Sequence, residues 1–455
     1  MNDDADAPTP SEGAATGDGE RTAGDGGGRT AGWGARTRAL HSGWAGDPAT
    51  GARAPPIYQT TSYSFPDADT AADLYALERE GDVYTRISNP TARVLERRLA
   101  DLEGGVDAVA TASGMAAIDT ATSLLARSGD NVVASADMYG GTGAYLAHMA
   151  SRRGVETRTV DTLEYGAYAE AIDDDTAYVH VETLANPSLV TPDIERVSEI
   201  AHDHAVPLVV DNTFATPALC SPIDHGADVV WDSTTKWIHG AGTTVGGVLV
   251  DGGTFPWDHP DADYPELSGE NPAFGVDFSE RFGERAFARV ARHRGVRALG
   301  NPQSPFDAWQ TLQGLSTLPV RMEKHCENAR VVAEHLRDHP EVAWVTYPGF
   351  ADHPTYDNAA EYLDGFGGMV VFGLEGGFDP GKRLCEEVEL VSFLANIGDA
   401  RSLLIHPAST THAQLTEAEQ RAAGVRPDLL RLSVGIEEPA DVVADLDRAI
   451  AEATS

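Results

Sequence analysis

From Asn89 onward the chain alternates short apolar runs with stretches of helical periodicity, a pattern few folds accommodate. The runs lie at 131–135, 177–181, 207–211, 228–232 and 245–250; a helical stretch at 114–127 precedes them, and others at 143–153 and 193–204 fall between them. The runs are rich in Val and Ala and lack an inside–outside alternation, as expected of strands buried on both faces. Strand–helix–strand repetition of this kind predicts an α/β fold built on a large, mainly parallel sheet covered by helices. A helix should enter at Pro90, whose fixed φ suits a first helical position. It would carry Val94, Leu95, Leu99 and Leu102 on one face and end at Gly104-Gly105.

The flanks read differently. Residues 1–35 are rich in Gly, Ala, Asp and Thr, with Gly26-Gly27-Gly28 and almost nothing apolar, so they cannot offset ordering entropy and are expected to be disordered. Residues 36–88 read as an extended arm with Pro55-Pro56, scattered aromatics (Tyr58, Tyr63, Phe65, Tyr75, Tyr84) and a short helix near 68–79. Within the α/β unit, expected over 89–300, the stretch 252–300 reads as loop-rich from Gly252-Gly253, Pro256, Pro260, Pro265 and Pro272. Beyond Ser304 the pattern predicts a long helix to about Arg337, strands near 342–346 and 368–374, and a closing helix over 439–452. Together these form a smaller C-terminal α+β domain, 301–455.

The 455 residues include 71 acidic and 33 basic side chains, a net charge of -38, which argues against nucleic acid and anionic membranes as partners. Only Lys236, Lys324 and Lys382 are lysines; an acidic, Lys-poor surface suits a protein kept soluble at high salt, where self-repulsion is screened. No run of apolar residues is long enough to span a membrane, and the start Met1-Asn2-Asp3-Asp4 has no leader pattern. Cys220, Cys326 and Cys385 form neither a disulfide framework nor a metal motif, so a reducing cytoplasm and no metal are the expectation.

Four motifs carry chemistry. In Asp232-Ser233-Thr234-Thr235-Lys236, a lysine follows three hydroxyl residues at the C-terminal end of a predicted strand, where open α/β sheets bind ligands. The Ser233 and Thr235 hydroxyls would serve a phosphate while the amine attacks an aldehyde. Asp211 ends another apolar run at the same sheet edge, placed to hold a pyridinium nitrogen; an isolated Asp there serves as often to cap the next turn. Ser113-Gly114-Met115 opens a helix whose N-terminus can hold phosphate, although most such starts are plain caps. Tyr139, after the 131–135 run, would stack on a planar ring or sit in the core. Tyr84 and Arg86, two apart on an extended segment, would face one phosphate together. Lysine, carboxylate and phosphate cup point to pyridoxal 5'-phosphate held as a Schiff base on Lys236.

These residues resemble the cystathionine gamma-synthase family of PLP enzymes, over about 38–452. Further matching stretches are Tyr58-Gln59-Thr60-Thr61-Ser62-Tyr63, Asp211-Asn212-Thr213-Phe214-Ala215-Thr216-Pro217, His406-Pro407-Ala408-Ser409-Thr410-Thr411-His412 and Arg431-Leu432-Ser433-Val434-Gly435. The resemblance implies PLP-dependent transferase fold type I and a homo-oligomer, a dimer of dimers, whose arm 36–88 contacts a neighbouring subunit. It implies Lys236 as the Schiff-base lysine and Asp211 as the pyridinium partner. Tyr139 is implied as the stacked, catalytic tyrosine and Asn186 lies beside the ring 3-hydroxyl. Gly114, Met115, Ser233, Thr235 and Thr213 surround the cofactor, and Tyr84 and Arg86 reach a neighbour's phosphate. Arg431 and Asn396 hold the substrate carboxylate, with Tyr84 also near the substrate.

Within the family the nearest likeness is to the O-acetylhomoserine sulfhydrylases, which implies gamma-replacement on an O-acylated homoserine with sulfide. Family lyases and cystathionine synthases are shorter at 252–300, and methionine gamma-lyases carry a reactive cysteine where this chain has Gly141. Cystathionine synthesis and gamma-lysis remain the alternatives. A protein that merely stores PLP would lack one of Lys236, Asp211 and Arg431, and a nucleotide-binding α/β protein would show GxGxxG or a P-loop. Trp231-Asp232 departs from relatives that carry a smaller or His-containing pair there.

Overall fold

The computed structural model describes residues 32–414, 416, 420 and 424–455. The expectation of disorder therefore lies outside the described residues for 1–31. At its C-terminal end the structure already starts a helix, Ala35–His41, with Trp33 packed edge-on against the His41 ring.

Seven strands form the larger sheet: β1 Asp107–Thr111, β2 Asn131–Ser135, β3 Glu156–Val160, β4 Thr176–Glu182, β5 Leu208–Asp211, β6 Val229–Asp232 and β7 Gly247–Asp251. Their order is β1-β7-β6-β5-β4-β2-β3. Strands β2 to β6 pair in parallel, while β7 runs antiparallel to both β6 and β1. The mainly parallel sheet thus has one reversed strand. No helix separates β6 from β7, and a direct connection can only return antiparallel. That connection is the loop carrying Lys236.

Both faces of the sheet are apolar, which is why its strands read as continuous runs. Val210, Val230 and Val248 pack on one side with Leu95 and Leu99 of the helix Pro90–Glu103. Val209, Val229 and Leu249 pack on the other with Ile118 and Phe287. The Pro90 helix is as expected: Asn89 caps it through the Thr91 N–H, and Gly104 closes it at φ 81, a conformation that needs glycine. The helix expected near 68–79 is shorter, Ala68–Tyr75.

The stretch 252–300 is not a loop throughout. After its last proline, Pro272, it forms the helices Phe278–Phe282 and Ala286–Val290, a π-helical turn Ala291–Val296 and a final turn to Leu299. Ahead of them Phe255, Trp257 and Tyr264 are buried, Trp257 stacks on Phe287 at 5.6 Å, and the Tyr264 hydroxyl donates to the Ala177 carbonyl of β4 at 2.9 Å. Gly and Pro punctuation hid an aromatic cluster that seals one sheet face.

The second sheet has β8 Val342–Thr346, β9 Met369–Leu374, β10 Ser392–Phe393, β11 Leu403–Ile405 and β12 Leu429–Ser433, in the order β10-β11-β12-β9-β8. The expected long helix is two, Pro305–Leu315 and Leu318–Asp338, broken at Ser316-Thr317 ahead of Pro319, which has no N–H to continue the ladder. The closing helix Pro439–Thr454 packs Val442, Leu446 and Ile450 onto this sheet. No helix among the described residues is long and apolar enough to cross a membrane.

Candidate active site

Three neighbouring parallel strands each end in a carboxyl: Glu182 on β4, Asp211 on β5 and Asp232 on β6. The sheet register pairs Glu182 with Asp211, and Asp211 with Trp231. Asp211 accepts the Thr213 N–H at 2.9 Å, yet burial pushes its carboxyl up to about 7. Glu182 accepts the Tyr139 N–H on one oxygen and the Asn186 N–H, at 3.1 Å, on the other. Burial, and then the Asp211 charge, holds Glu182 well above the usual carboxylate range. One buried carboxyl therefore fixes the backbone of two expected site residues. The sequence reading missed it, although the signal was present: three apolar runs each close on an acid.

Lys236 lies in the turn after β6. Its amine donates to Asn396 Oδ1 at 2.5 Å. Burial, and then the Arg431 charge, lowers the amine to about 8. Arg431, on β12 of the second sheet, donates through Nη1 to Asn186 Oδ1 at 3.1 Å, and its buried Nε has no partner among the described residues. Burial lowers the guanidinium to about 10, and the Tyr139 phenol acts on it in the opposite sense. His412, half-buried, is pushed down by burial and then by Arg431, so it too belongs to this cluster. The two sheets meet closely here. Gly398 has φ 73, and a Cβ on it would lie 2.5 Å from the Trp237 nitrogen and 2.9 Å from the Lys236 carbonyl carbon, so only glycine fits.

The phosphate-cup residues also converge. Ser113 caps the helix Gly114–Leu125, taking the Ala116 N–H on its side chain. The Gly114 and Met115 N–H groups at the helix start have no acceptor among the described residues. A Cβ on Gly114 would come within 2.8 Å of Ser233 Cβ, so the helix start closes directly onto the loop before Lys236. Thr213 Oγ1 accepts the Ser233 N–H at 2.8 Å and ties β5 to the same loop. The Thr235 hydroxyl bonds both the carbonyl and the N–H of Gly246 at 3.1 Å, so of the two expected phosphate hydroxyls Ser233 is the uncommitted one.

One reading is corrected, and one alternative falls. Tyr84 and Arg86 do not lie on an extended segment: the Ile87 N–H closes a turn onto the Tyr84 carbonyl at 2.8 Å. Arg86 instead lies 5.3 Å from the Tyr84 ring centroid and donates to the Arg297 carbonyl. Tyr139 is no core residue, since it is 44% exposed. Its ring leans on Gly141, where a Cβ would collide with it, so a cysteine at that position would require the ring to move.

An amine with lowered proton affinity, a carboxyl one strand away and a helix N-terminus closed over the same loop fit a phosphorylated pyridine aldehyde. The family described as Cys/Met metabolism PLP-dependent enzyme matches residues 36–451. The chain belongs to this family. It is 46% identical to the O-acetyl-L-homoserine sulfhydrylase of Leptospira meyeri over 425 residues, 91% of this chain and 96% of that protein. It is 45% identical to the sulfhydrylase FUB7 of Fusarium oxysporum f. sp. lycopersici over 420 residues, 92% and 97% of the two chains. A Campylobacter jejuni structure assigned as an O-acetylhomoserine (thiol)-lyase contains N'-pyridoxyl-lysine-5'-monophosphate. It superposes with a TM-score of 0.88 at 37% identity, covering 92% of this chain and all of the other. This PLP-dependent enzyme accordingly has fold type I, and Glu182, Asp211 and Asp232 share one edge of its seven-stranded sheet.

Proposed function

We propose that the enzyme carries out gamma-replacement on O-acetyl-L-homoserine with sulfide, giving L-homocysteine and acetate. The observation that carries this reading is the continuous set Lys236–Asn396 and Arg431–Asn186, which joins the turn after β6, the turn after β4 and the second sheet around one amine. O-acetyl-L-homoserine sulfhydrylases and homocysteine synthases at 43–46% identity support the substrate and the nucleophile.

When bound, PLP supplies an electron sink conjugated to the substrate α-carbon. Lys236 holds the cofactor and then, as an amine partly neutral near neutral pH, moves the α-proton and a β-proton so that the γ-ester can leave. Arg431 grips the α-carboxylate in bidentate fashion, with Asn396 as the second contact and Asn186 setting the guanidinium plane while facing the ring 3-hydroxyl. Asp211 would hold the ring nitrogen of the bound cofactor, and Tyr139 would lie against its ring and assist proton transfer. The Gly114 and Met115 N–H groups with the Ser233 hydroxyl would hold the phosphate end, while Thr235 and Thr213 brace the loop around it.

Tyr84 and Arg86 complete a neighbouring subunit's site. The arm 36–88 then belongs to the subunit interface, 89–300 to the cofactor-binding domain and 301–455 to the C-terminal domain, in a dimer of dimers working in a salt-rich cytoplasm. Incubating purified holoenzyme with O-acetylhomoserine and sulfide, methanethiol or cysteine tests the reading. Homocysteine with equimolar acetate is expected. Preferential cystathionine formation, or α-ketobutyrate released without any nucleophile, would overturn it.

A further inference from the structure

Behind Asp211 lies a second buried acidic contact that the reaction as described does not use. Asp232, the last residue of β6, and Glu103, the last of the Pro90 helix, are both 0% exposed. Asn212 Nδ2 donates to both Glu103 oxygens at 3.1 Å and to the Cys220 carbonyl at 3.0 Å, while its Oδ1 accepts from the Thr183 hydroxyl at 2.9 Å. Asp232 receives no such help: neither of its oxygens takes an N–H or a hydroxyl among the described residues, and what it meets is the Glu103 carboxyl. Two carboxyls buried against each other strongly oppose double ionisation, so one keeps its proton and can donate it to the other.

The surroundings reinforce this. Glu103 also faces Asp224, Asp232 faces Asp211, and Asp211 faces Glu182 on the next strand. The Cys220 thiol, packed nearby, is itself pushed up by burial and then by Glu103 and Asp224. Burial and neighbouring acids are the largest influences raising Glu103 and Asp232, with no cation among them. Glu103 is held far above the usual range and Asp232 is pushed up to about 7, so the pair keeps a proton between them at neutral pH.

We propose that Glu103 and Asp232 are positioning residues that share a proton and, through Asp211, set the charge felt by the pyridinium nitrogen of the bound cofactor. Ionising Asp232 places a second negative charge beside Asp211 and strengthens its hold on the ring-nitrogen proton. Protonating Asp232 relaxes that hold. Asp232 also leads directly into Ser233–Lys236, so the pair is built into the loop that carries the cofactor.

This rests on the role proposed for Asp211, and two measurements separate the ideas. The first uses infrared difference spectra of the apoprotein at neutral pH, which do not involve the cofactor. Glu103→Gln and Asp232→Asn should each remove or shift the carbonyl band of a protonated carboxylic acid, because each takes away one partner of the shared proton. The second is the visible absorbance of holoenzyme titrated with pH. Wild type should show a step near neutral pH that vanishes in Asp232→Asn. The step should move to lower pH in Glu103→Gln, where an amide N–H replaces the shared proton and stabilises the Asp232 anion. If one variant fails to fold, the other carries both readouts. An infrared band unchanged by either substitution refutes the shared proton. Band changes with an unaltered optical step refute its coupling to the cofactor. An Asp211→Asn holoenzyme with a normal spectrum would remove the Asp211 reading while leaving the infrared result standing.

Discussion

Two buried charge clusters lie at different edges of the same sheet and are built on opposite rules. Beside β1, Arg292 clamps Glu96 with contacts of 2.8 and 3.2 Å, and Arg93 bridges Glu96 and Asp107 at 2.8 and 3.1 Å. Burial opposes these carboxylates, but the arginines win: Glu96 is held below its ordinary range and Asp107 at about 2. At the carboxyl ends of β4, β5 and β6 the burial is similar, yet Glu182, Asp211 and Asp232 face one another and are all pushed up, while Lys236 and Arg431 are pushed down. The β1 cluster is matched by its own arginines. The cluster at the strand ends is left mismatched, as expected of a site completed by a charged ligand.

The sharpest test of that contrast is Lys236→Ala, which should eliminate the visible absorbance of the bound cofactor and all turnover while leaving denaturant stability of the apoprotein near wild type. A retained visible band would move the attachment point to Lys324 or Lys382. In the matched cluster the effect should be the reverse: Glu96→Gln strands two arginines and should cost about 3–5 kcal/mol in urea unfolding, with little change in the cofactor spectrum.

Next in size, Arg431→Lys loses bidentate geometry and should raise KM by about ten- to a hundredfold, equivalent to roughly 1.5–3 kcal/mol, with a smaller change in kcat. Arg86→Ala should weaken PLP binding by about the same 1.5–3 kcal/mol. Verified hybrids of Arg86→Ala and Lys236→Ala subunits should regain activity that neither parent has, and hybrids that recover nothing would show a site built from one chain.

The smallest effects are in pH. Asp107 is depressed in the fold, so its contribution is present above its unfolded value near 3.9 and is lost as pH falls toward about 2. Asp211 is raised, so its neutral form favours the folded apoprotein at low pH. That advantage is lost as pH rises from about 4 toward about 7. Unfolding curves of apoprotein against Asp107→Asn and Asp211→Asn should therefore diverge at opposite ends of the range. The rate of PLP capture by apoprotein should climb with pH and level off above about 8, where the Lys236 amine is neutral.

Much of this was legible because its signals are local. Pro90, Asn89 and Gly104 bound a helix by their own φ preferences, and Val209-Val210-Asp211 reads as a buried strand ending in an acid without reference to anything else. What escaped the sequence depends on distant partners. Glu182 matters because Tyr139 and Asn186 hang from it, Gly398 because Lys236 lies against it, and Trp257 because Phe287 arrives from thirty residues on. Strand β3, Glu-Thr-Arg-Thr-Val, sits at the sheet edge, where only one flank is paired and polar side chains are tolerated, so its composition hid it. The Tyr84–Arg86 turn was missed because spacing alone cannot tell a turn from a strand.

The contact at Gly398 has a mechanical meaning. The bare backbone of the C-terminal half passes close against the peptide of Lys236 and Trp237, so one of the links between the halves lies at the base of the lysine side chain. A rocking motion of one half against the other would have its fulcrum there. Arg431, farther out on β12, would swing through an arc while the lysine stayed almost still. A molecule jointed in this way could loosen its grip on a departing amino acid while the anchor of its prosthetic group stays in place.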